Sequence, residues 1–367
     1  MNDGRQTIGV LGAYGHVGRN VVRELARYGG YELLLGGRDP ERLAELAAGV
    51  DGSPATQVVD VFDQTSVADF AQRCAVLVNC SRYSDAFAQA VLDSGCHLVD
   101  TTAFRAERWQ EQESALRDKG IRWITYTGWL PGLPDIVVRY LETVGAARLG
   151  PVASVEVYAY DCNEYLGYGL LDLVGGIFYG PGVLDAVQRV TRRRRPTPTP
   201  PSADMSIRPE DRKRSKPRLR FAELPAPVGR KLVMSDSADH NREVFLAYDA
   251  ELLIPVVRSF WHGTTKGEQW LADRVVGPAF RRRVRRRGVA QVLRGRVHAE
   301  NGQQLQVDLV ETRRDGYWLS GVIPATAARL VVEDKVAAAG IATLDKMADP
   351  LLLADELASV GVDYRVG

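Results

Sequence analysis

The feature that most constrains the fold is a glycine-rich turn between an apolar run and a segment with helical spacing. The turn reads GAYGHVG over residues 12–18, so glycine occupies its first, fourth and seventh positions. Before it, residues 7–11 read TIGVL and are typical of a short buried strand. After it, residues 17–28 place valines and a leucine three and four positions apart. We therefore predict a strand, a tight turn and a helix, in that order.

This order of elements is typical of a turn that holds the pyrophosphate of a dinucleotide. Glycine permits the tight turn, lets the backbone approach the phosphates, and allows the helix to pack closely on the strand. The backbone N–H groups at the start of the helix then face the phosphates. On this pattern we assign Gly12, Gly15 and Gly18 to cofactor binding.

The second predicted strand indicates which dinucleotide the chain prefers. Residues 31–37 read YELLLGG and are followed by Arg38, where folds that select NAD usually place an acid on the adenosine ribose. A glycine leaves space for a 2′-phosphate, and a guanidinium is suited to bind it. The sequence thus favours NADP(H) over NAD(H), with a solvated Arg38 as the alternative. Because Asp39 precedes Pro40, we interpret Asp39 as a helix N-cap rather than as the ribose acid.

Strand-like and helix-like segments continue to alternate up to about residue 128. The later predicted strands cover residues 55–63, 74–81 and 96–102, with another from residue 121. Repeated βα units predict an α/β chain with an N-terminal Rossmann-type, doubly wound parallel sheet that binds ligands at the carboxyl ends of its strands.

Two groups of residues lie at these strand ends where a dinucleotide would pass. Asp60 and Val61 end the third strand and would flank the adenine, although a turn cap is an equal alternative for Asp60. Cys80, Ser81 and Tyr83 follow the fourth strand, where the ribose and nicotinamide would lie.

The middle of the chain predicts a second domain, of α+β type and containing an antiparallel sheet. Residues 152–161 alternate as a strand does, and Asn301-Gly302 and Asp315-Gly316 are hairpin signals within alternating stretches. The segment PATAARLVVEDKVAAAG predicts a helix with Pro324 near its start. Residues 192–217 are rich in proline and basic residues, so we expect a mobile loop, a lid or disorder there.

Composition argues against several other classes of protein. The chain of 367 residues has no apolar run near the roughly 18 residues that span a bilayer, and no secretory signal, so we expect a cytoplasmic protein without membrane contact. Its four cysteines lack metal-ligand or disulfide spacing, so we expect free thiols and no metal. Net charge is +1, and the arginine clusters at 192–195 and 281–287 lack aromatic platforms. We therefore favour solvated surfaces over nucleic-acid binding.

Four segments, in their order, resemble the saccharopine dehydrogenase-like NAD(P)-dependent oxidoreductases. They are GAYGHVG (12–18), VLVNCS (76–81), HLVDTT (97–102) and TGWLPGLPDIVVRYL (127–141). The likeness covers residues 6 to about 142 and returns weakly at 339–367. The resemblance implies that the C-terminal segment rejoins the nucleotide domain. We accordingly divide the chain into a dinucleotide-binding domain, residues 6–128 with 325–367, and a substrate-binding and dimerisation domain, residues 129–324.

The resemblance also implies roles for individual residues at the cofactor. Tyr14, His16 and Val17 match the family's phosphate loop, and Cys80 and Ser81 match the strand end on the nicotinamide side.

On the substrate side, Pro131, Gly132 and Asp135 fall on a segment that in relatives enters the second domain beside the active site. Where family members often carry a Gly-Pro turn, this chain has Arg82 and Tyr83. We assign Arg82, Pro131 and Gly132 to the substrate, since Arg82 can pair with a carboxylate.

The expected function is that of an NADPH-dependent reductase acting on a small molecule. The resemblance implies hydride transfer to a C=N or C=O bond of an amino-acid-like or biosynthetic intermediate. The candidates for catalysis are Tyr83, Asp135 and Tyr160, although packing is the favoured role for any single tyrosine of the second domain. A non-catalytic dinucleotide-binding sensor or assembly protein, and an enoyl reductase, are the alternatives. We expect a homodimer that pairs through the antiparallel sheet.

Overall fold

The computed structural model describes residues 6–81, 85–102, 112–130, 132–162, 242–248, 290–312, 316–337 and 339–366. The chain divides into two units, Met1–Tyr140 with Tyr317–Arg365 and Leu141–Gly316 with Val366–Gly367. The expected loop at 192–217 lies outside the described residues, as do Arg82, Tyr83 and Pro131.

The described strands form two sheets. In chain order the strands are β1 Thr7–Leu11, β2 Glu32–Gly37, β3 Ala55–Val58, β4 Val76–Asn79, β5 His97–Asp100, β6 Arg122–Thr125, β7 Val152–Cys162, β8 Arg242–Tyr248, β9 Ala290–Ala299, β10 Gln304–Glu311 and β11 Gly340–Thr343.

The described helices connect and cover these strands. They are α1 His16–Tyr28, α2 Pro40–Ala48, α3 Gln64–Ala71, α4 Asp85–Ser94, α5 Glu113–Asp118, α6 Leu133–Leu149, α7 Trp318–Val332, α8 Leu344–Met347 and α9 Pro350–Ser359. None of the helices within the described ranges is long and apolar enough to cross a membrane.

The first unit is built on a seven-stranded parallel sheet in the order β11-β6-β5-β4-β1-β2-β3. Strand β1 has β2 on one side and β4 on the other, so the direction of winding reverses beside β1. Ligands of doubly wound sheets bind at this switch point, outside the carboxyl ends of the strands. The predicted Rossmann-type fold is confirmed.

Local signals explain where several helices begin. The carboxylates of Asp39, Asp63 and Asp349 each accept hydrogen bonds from two backbone N–H groups of the following helix. In two cases proline fills the first helical position, Pro40 in α2 and Pro350 in α9. The predicted N-cap role of Asp39 is confirmed.

Helix α7 corrects one expectation from the sequence. We expected a hairpin turn at Asp315-Gly316 and a helix beginning near Pro324, but the helix begins at Trp318 and Pro324 lies inside it. Nearly every residue of α7 is buried, so its sequence carries no amphipathic period that would distinguish it from a strand. The helix packs against α1 so closely that a Cβ atom at Gly321 would lie 2.4 Å from Cβ of Asn20.

The second unit contains a four-stranded sheet in the order β10-β9-β7-β8. The pairs β10–β9 and β9–β7 are antiparallel, whereas β8 is parallel to β7. The turn between β9 and β10 contains Asn301, whose side-chain oxygen accepts a hydrogen bond from the backbone N–H of Gln303 at 2.9 Å. The predicted antiparallel sheet is confirmed, with β8 as an additional parallel strand.

Candidate dinucleotide-binding site

The glycine loop follows β1 and is fixed between the ends of β2 and β4, the strands on either side of β1. The backbone N–H groups of Gly12 and Ala13 donate to the carbonyl oxygen of Gly36, at 2.9 and 3.1 Å. On the other side, a Cβ atom at Gly12 would lie 2.7 Å from the carbonyl oxygen of Cys80, and φ of Gly12 is +73°. Glycine is therefore required at position 12 by both backbone conformation and space.

The other two fingerprint glycines differ in what surrounds them. A Cβ atom at Gly18 would lie 2.1 Å from the carbonyl oxygen of Gly12, so Gly18 permits α1 to pack on the loop. Among the described residues, a Cβ atom at Gly15 would meet only that same oxygen within 4 Å, at 3.0 Å. Gly15 is the N-cap of α1, and the first turn of α1 contains no acidic residue. The space in front of Gly15 therefore fits a pyrophosphate bound by the N–H groups of the helix.

Tyr14 lies over the end of β2. A Cβ atom at Gly37 would lie 2.6 Å from Cε1 of the Tyr14 ring, so the ring covers a strand end that only glycine can form. The Tyr14 hydroxyl accepts a hydrogen bond from the backbone N–H of Arg38 at 3.2 Å. The guanidinium carbon of Arg42, in the first turn of α2, lies 4.3 Å from the centre of the same ring. Both arginines are exposed.

Asp60 closes the turn that follows β3. Its carboxylate accepts a hydrogen bond from the backbone N–H of Phe62 at 3.1 Å, which is the turn-cap geometry. Val61 is buried, whereas the Phe62 ring is 56% exposed. Sequence reasoning missed Phe62, although an aromatic residue directly after the third strand was a usable signal.

A buried polar network supports the ends of β4 and β5. Nδ2 of Asn79 donates to Oδ1 of Asp100 at 3.1 Å, and Oδ1 of Asn79 accepts from the backbone N–H of Ser81 at 3.0 Å. Oδ2 of Asp100 accepts from the Thr102 hydroxyl at 2.9 Å. Both Asn79 and Asp100 are fully buried. Burial raises the pKa of Asp100 to about 7, and the hydrogen bonds from Thr102 and Asn79 oppose that rise.

This network fixes the backbone of the loop at Ser81. Sequence reasoning missed Asn79 and Asp100 as a pair. In the sequence, each of these polar residues directly follows an apolar run. In the structure, each is the last residue of its strand, and the two positions are paired across β4 and β5. Beside them, burial raises the pKa of the Cys80 thiol, so this thiol stays protonated at neutral pH.

A strained residue lies at the end of the next strand. Tyr126 directly follows β6 with φ of +54°, a conformation that residues with large side chains rarely adopt. The hydroxyl of Thr127 donates to the carbonyl oxygen of Asp100 at 3.0 Å and ties this turn to the network. Non-glycine residues with positive φ concentrate at functional sites, so Tyr126 joins the candidates at this edge of the sheet.

The other assigned residues lie in different surroundings. The His16 ring stacks on Tyr317 with ring centres 5.1 Å apart, and Val17 is half-buried in the first turn of α1. Asp135 is only 2% exposed, in the first turn of α6. A Cβ atom at Gly132 would lie 2.5 Å from the carbonyl oxygen of Tyr126, so Gly132 forms a tight turn.

The remaining catalytic candidate belongs to the second unit. Tyr160 pairs with Val292 across β7 and β9, and the position of its side chain lies outside what the structure describes. Among the described residues, no three His, Cys, Asp or Glu side chains gather as a metal site would require.

Residues 8–124 match the family model of the saccharopine dehydrogenase NADP-binding domain. The resemblance seen in the sequence is confirmed for this part of the chain. A search of the curated proteins finds no match.

A solved structure shares the fold over nearly the whole chain, and two others are similar at lower scores. Apo saccharopine dehydrogenase (L-Glu forming) from Saccharomyces cerevisiae matches with a TM-score of 0.60 at 14% identity, covering 97% of this chain and 98% of that one. A mutant meso-dapdh with DAP from Clostridium tetani E88 has a TM-score of 0.44 at 12% identity, covering 97% and 99%. Serine dehydrogenase from Escherichia coli has a TM-score of 0.27 at 15% identity, covering 32% and 80%. The match to the NADP-binding domain of a dehydrogenase family supports an oxidoreductase with a dinucleotide cofactor.

Proposed function

We propose that this chain is an NADPH-dependent oxidoreductase that reduces a C=N or C=O bond of a small amino-acid-like or biosynthetic intermediate. The observation that carries the proposal is the open space at Gly15, at the switch point of a sheet whose sequence matches an NADP-binding domain. The neighbouring strand end has Gly36, Gly37 and Arg38 where NAD-selecting folds carry an acid. When bound, the nicotinamide supplies the hydride.

In this proposal the residues of the chain bind and orient the reactants. The N–H groups at the start of α1 bind the pyrophosphate, and Arg38 binds the 2′-phosphate. Asn79 and Asp100 hold the Ser81 backbone, which faces the nicotinamide together with Cys80.

On the substrate side, the sequence assigns Arg82 to a substrate carboxylate, and Pro131 and Gly132 to substrate binding. Tyr83, Asp135 and Tyr160 are the candidates for the group that donates the proton.

The test measures binding and turnover separately. Titration with NADPH, followed by the fluorescence of the reduced nicotinamide, reports binding, and loss of NADPH absorbance reports turnover. The second assay uses a panel of 2-oxo acids, each alone and paired with ammonia or an amino acid. We expect oxidation of NADPH that depends on one class of substrate, and slower oxidation by the Gly15→Ala variant at the same subsaturating NADPH concentration.

Two outcomes would contradict this proposal. Tight NADPH binding without turnover on any oxo acid or imine would favour a non-catalytic sensor or assembly protein. Turnover on activated C=C substrates alone would favour an enoyl reductase.

We extend the proposal to a cytoplasmic homodimer. Cys74, Cys80 and Cys96 hold free thiols, as is usual for proteins of a reducing compartment. The sheet of the second unit supplies the contact between subunits, because open sheets leave edges that a partner can cover. Sedimentation equilibrium should give twice the mass of one chain, and the mass of a single chain would contradict the dimer.

A further inference from the structure

The glycine loop and the end of β2 are joined through one aromatic side chain. Tyr14 belongs to the loop, yet its ring covers Gly37 and its hydroxyl accepts the backbone N–H of Arg38 at 3.2 Å. A phenol oxygen that accepts one hydrogen bond still has its own proton to donate. The Tyr14 hydroxyl can therefore act as a donor at the point where Arg38 begins.

The side chain of Arg42 lies over the ring of Tyr14. Its guanidinium carbon lies 4.3 Å from the centre of the Tyr14 ring, within the range of a cation–π contact. The contact restricts a long side chain that would otherwise sample many rotamers, so less entropy is lost when a ligand binds.

The guanidinium of Arg42 is available to bind an anion, because no carboxylate of the described residues forms an ion pair with it. The Asp39 carboxylate, which caps α2, already accepts the backbone N–H groups of Glu41 and Arg42, both at 3.1 Å. Within the described part of the chain, no ion pair involves Arg38 or Arg42. The Tyr14 phenol, the Arg42 guanidinium over its ring and the exposed residue Arg38, whose backbone N–H donates to the phenol, thus lie together at the strand end where an adenosine ribose would lie.

We propose that Tyr14 and Arg42 complete, with Arg38, a three-donor site for the 2′-phosphate of NADP(H), and that Arg42 is a residue that selects this cofactor. The inference rests on the proposed function, because it assumes that a dinucleotide occupies the loop. It assigns Tyr14 and Arg42 to the 2′-phosphate, a role that the sequence pattern at the end of β2 indicates only for Arg38. A dianionic phosphate offers three acceptor oxygens, which matches one donor group from each residue.

The experiment uses two fragments that differ only in the 2′-phosphate. Adenosine 2′,5′-bisphosphate and 5′-AMP are titrated calorimetrically into the full chain, so that no hydride transfer is needed. The variants are Arg42→Met, which keeps the alkyl stem on the Tyr14 ring, and Tyr14→Phe, which keeps the ring and removes the hydroxyl. Arg27→Met is the matched control, because Arg27 is an exposed arginine in the last turn of α1. It lies about 18 Å along that helix from the loop.

We expect the wild type to bind the bisphosphate at least about tenfold more tightly than 5′-AMP. Arg42→Met should weaken binding of the bisphosphate about tenfold, and Tyr14→Phe about three- to tenfold, with 5′-AMP unchanged in both. Arg27→Met should change neither ligand. In a Tyr14→Leu background the effect of Arg42→Met should shrink, because the ring that places the guanidinium is gone.

The outcomes separate this inference from the proposed function. If the wild type prefers the bisphosphate but Arg42→Met keeps that preference, the role of Arg42 is wrong while an NADPH reductase that uses Arg38 still stands. The same conclusion holds if Arg42→Met weakens both ligands equally. If the wild type binds neither fragment, or binds both equally well, the site and the NADPH preference are both wrong. Thermal unfolding of each variant checks that the fold is intact.

Discussion

Replacing Gly15 and Gly18 by alanine, one at a time, should separate the contribution of the fingerprint to stability from its contribution to cofactor binding. We compare Gly15→Ala with Gly18→Ala, since both changes add one methyl group to the same loop and helix. At Gly18 the new Cβ atom would lie 2.1 Å from the Gly12 carbonyl oxygen and 2.8 Å from that of Ala13. At Gly15 it would lie 3.0 Å from one oxygen and otherwise enter open space.

The contact distances give the expected magnitudes. Overpacking of this kind costs about 1–3 kcal/mol or more, and alanine's better helix propensity offsets about 1 kcal/mol at Gly18. We expect Gly18→Ala to lose about 2 kcal/mol of unfolding free energy, which lowers Tm by about 4–8 °C in a domain of this size. Gly15→Ala should lose less than about 1 kcal/mol, because a single oxygen needs to shift by a few tenths of an ångström.

Cofactor affinity should show the opposite order. The methyl group at Gly15 displaces the pyrophosphate from the helix N–H groups and removes at least one charge-assisted hydrogen bond, worth about 1.5–3 kcal/mol. The dissociation constant for NADPH should rise about 10- to 150-fold in Gly15→Ala. Urea unfolding and NADPH titration on the same preparations supply both quantities. Wild-type NADPH affinity in Gly15→Ala, or an equal loss of stability in the two variants, would refute the assignment of the open space to the pyrophosphate.

Three further outcomes are expected. Arg38→Ala should weaken NADPH binding about 10- to 100-fold and leave NADH nearly unchanged, whereas an equal effect on both cofactors in titrations would show that Arg38 is only a solvated residue. Because burial raises the pKa of Asp100 from 3.8 to about 7, the folded state keeps a proton that the unfolded chain releases, so wild-type stability should fall as pH rises through that window. This decrease in the free energy of unfolding amounts to at most about 4 kcal/mol. The amide side chain in Asp100→Asn cannot ionise, so the decrease should be absent when this variant is unfolded in urea at several pH values. The same dependence of unfolding free energy on pH in the variant and the wild type would contradict the buried acid. Trp318→Phe removes the buried hydrogen bond from Nε1 to Glu24 Oε1 at 3.1 Å. The free energy of unfolding, measured with urea, should fall by about 1–3 kcal/mol. An unchanged value would show that the bond makes no net contribution to stability.

The parts of the fold that were predictable from the sequence are those set by local interactions. The strand, glycine turn and helix around Gly12 are adjacent in the chain, and so are Asp39 and the helix that it caps. The turn at Asn301-Gly302 is likewise determined by its own residues. In each case the signal and the structure that it specifies lie within a few residues of each other.

The error at Asp315-Gly316 has a different physical origin. An Asp-Gly pair signals a turn, but burial decides which element comes after the turn, and Trp318 to Val332 form a helix enclosed by other elements. Such a helix needs no polar face, so periodicity cannot separate it from a strand.

The site residues that the sequence did not predict are defined by contacts between segments that are separated in the chain. Asn79 and Asp100 meet because β4 and β5 pair in one register. Arg42 reaches Tyr14 because α2 begins beside the glycine loop. A sequence pattern can assign each of these residues to an element, but the contact between elements arises only when the sheet is assembled.

Strand β11 and helix α7 complete the first unit with residues that come after the whole of Leu141–Gly316 in the chain. At about 5–20 residues per second, a ribosome needs on the order of ten to forty seconds to synthesise that intervening segment. Until then, the faces of β4 and β5 that α7 covers remain exposed on the nascent chain. The first unit can therefore finish folding only after Leu141–Gly316 has been synthesised, and until then the apolar surface of its earlier strands is open to aggregation and to chaperones.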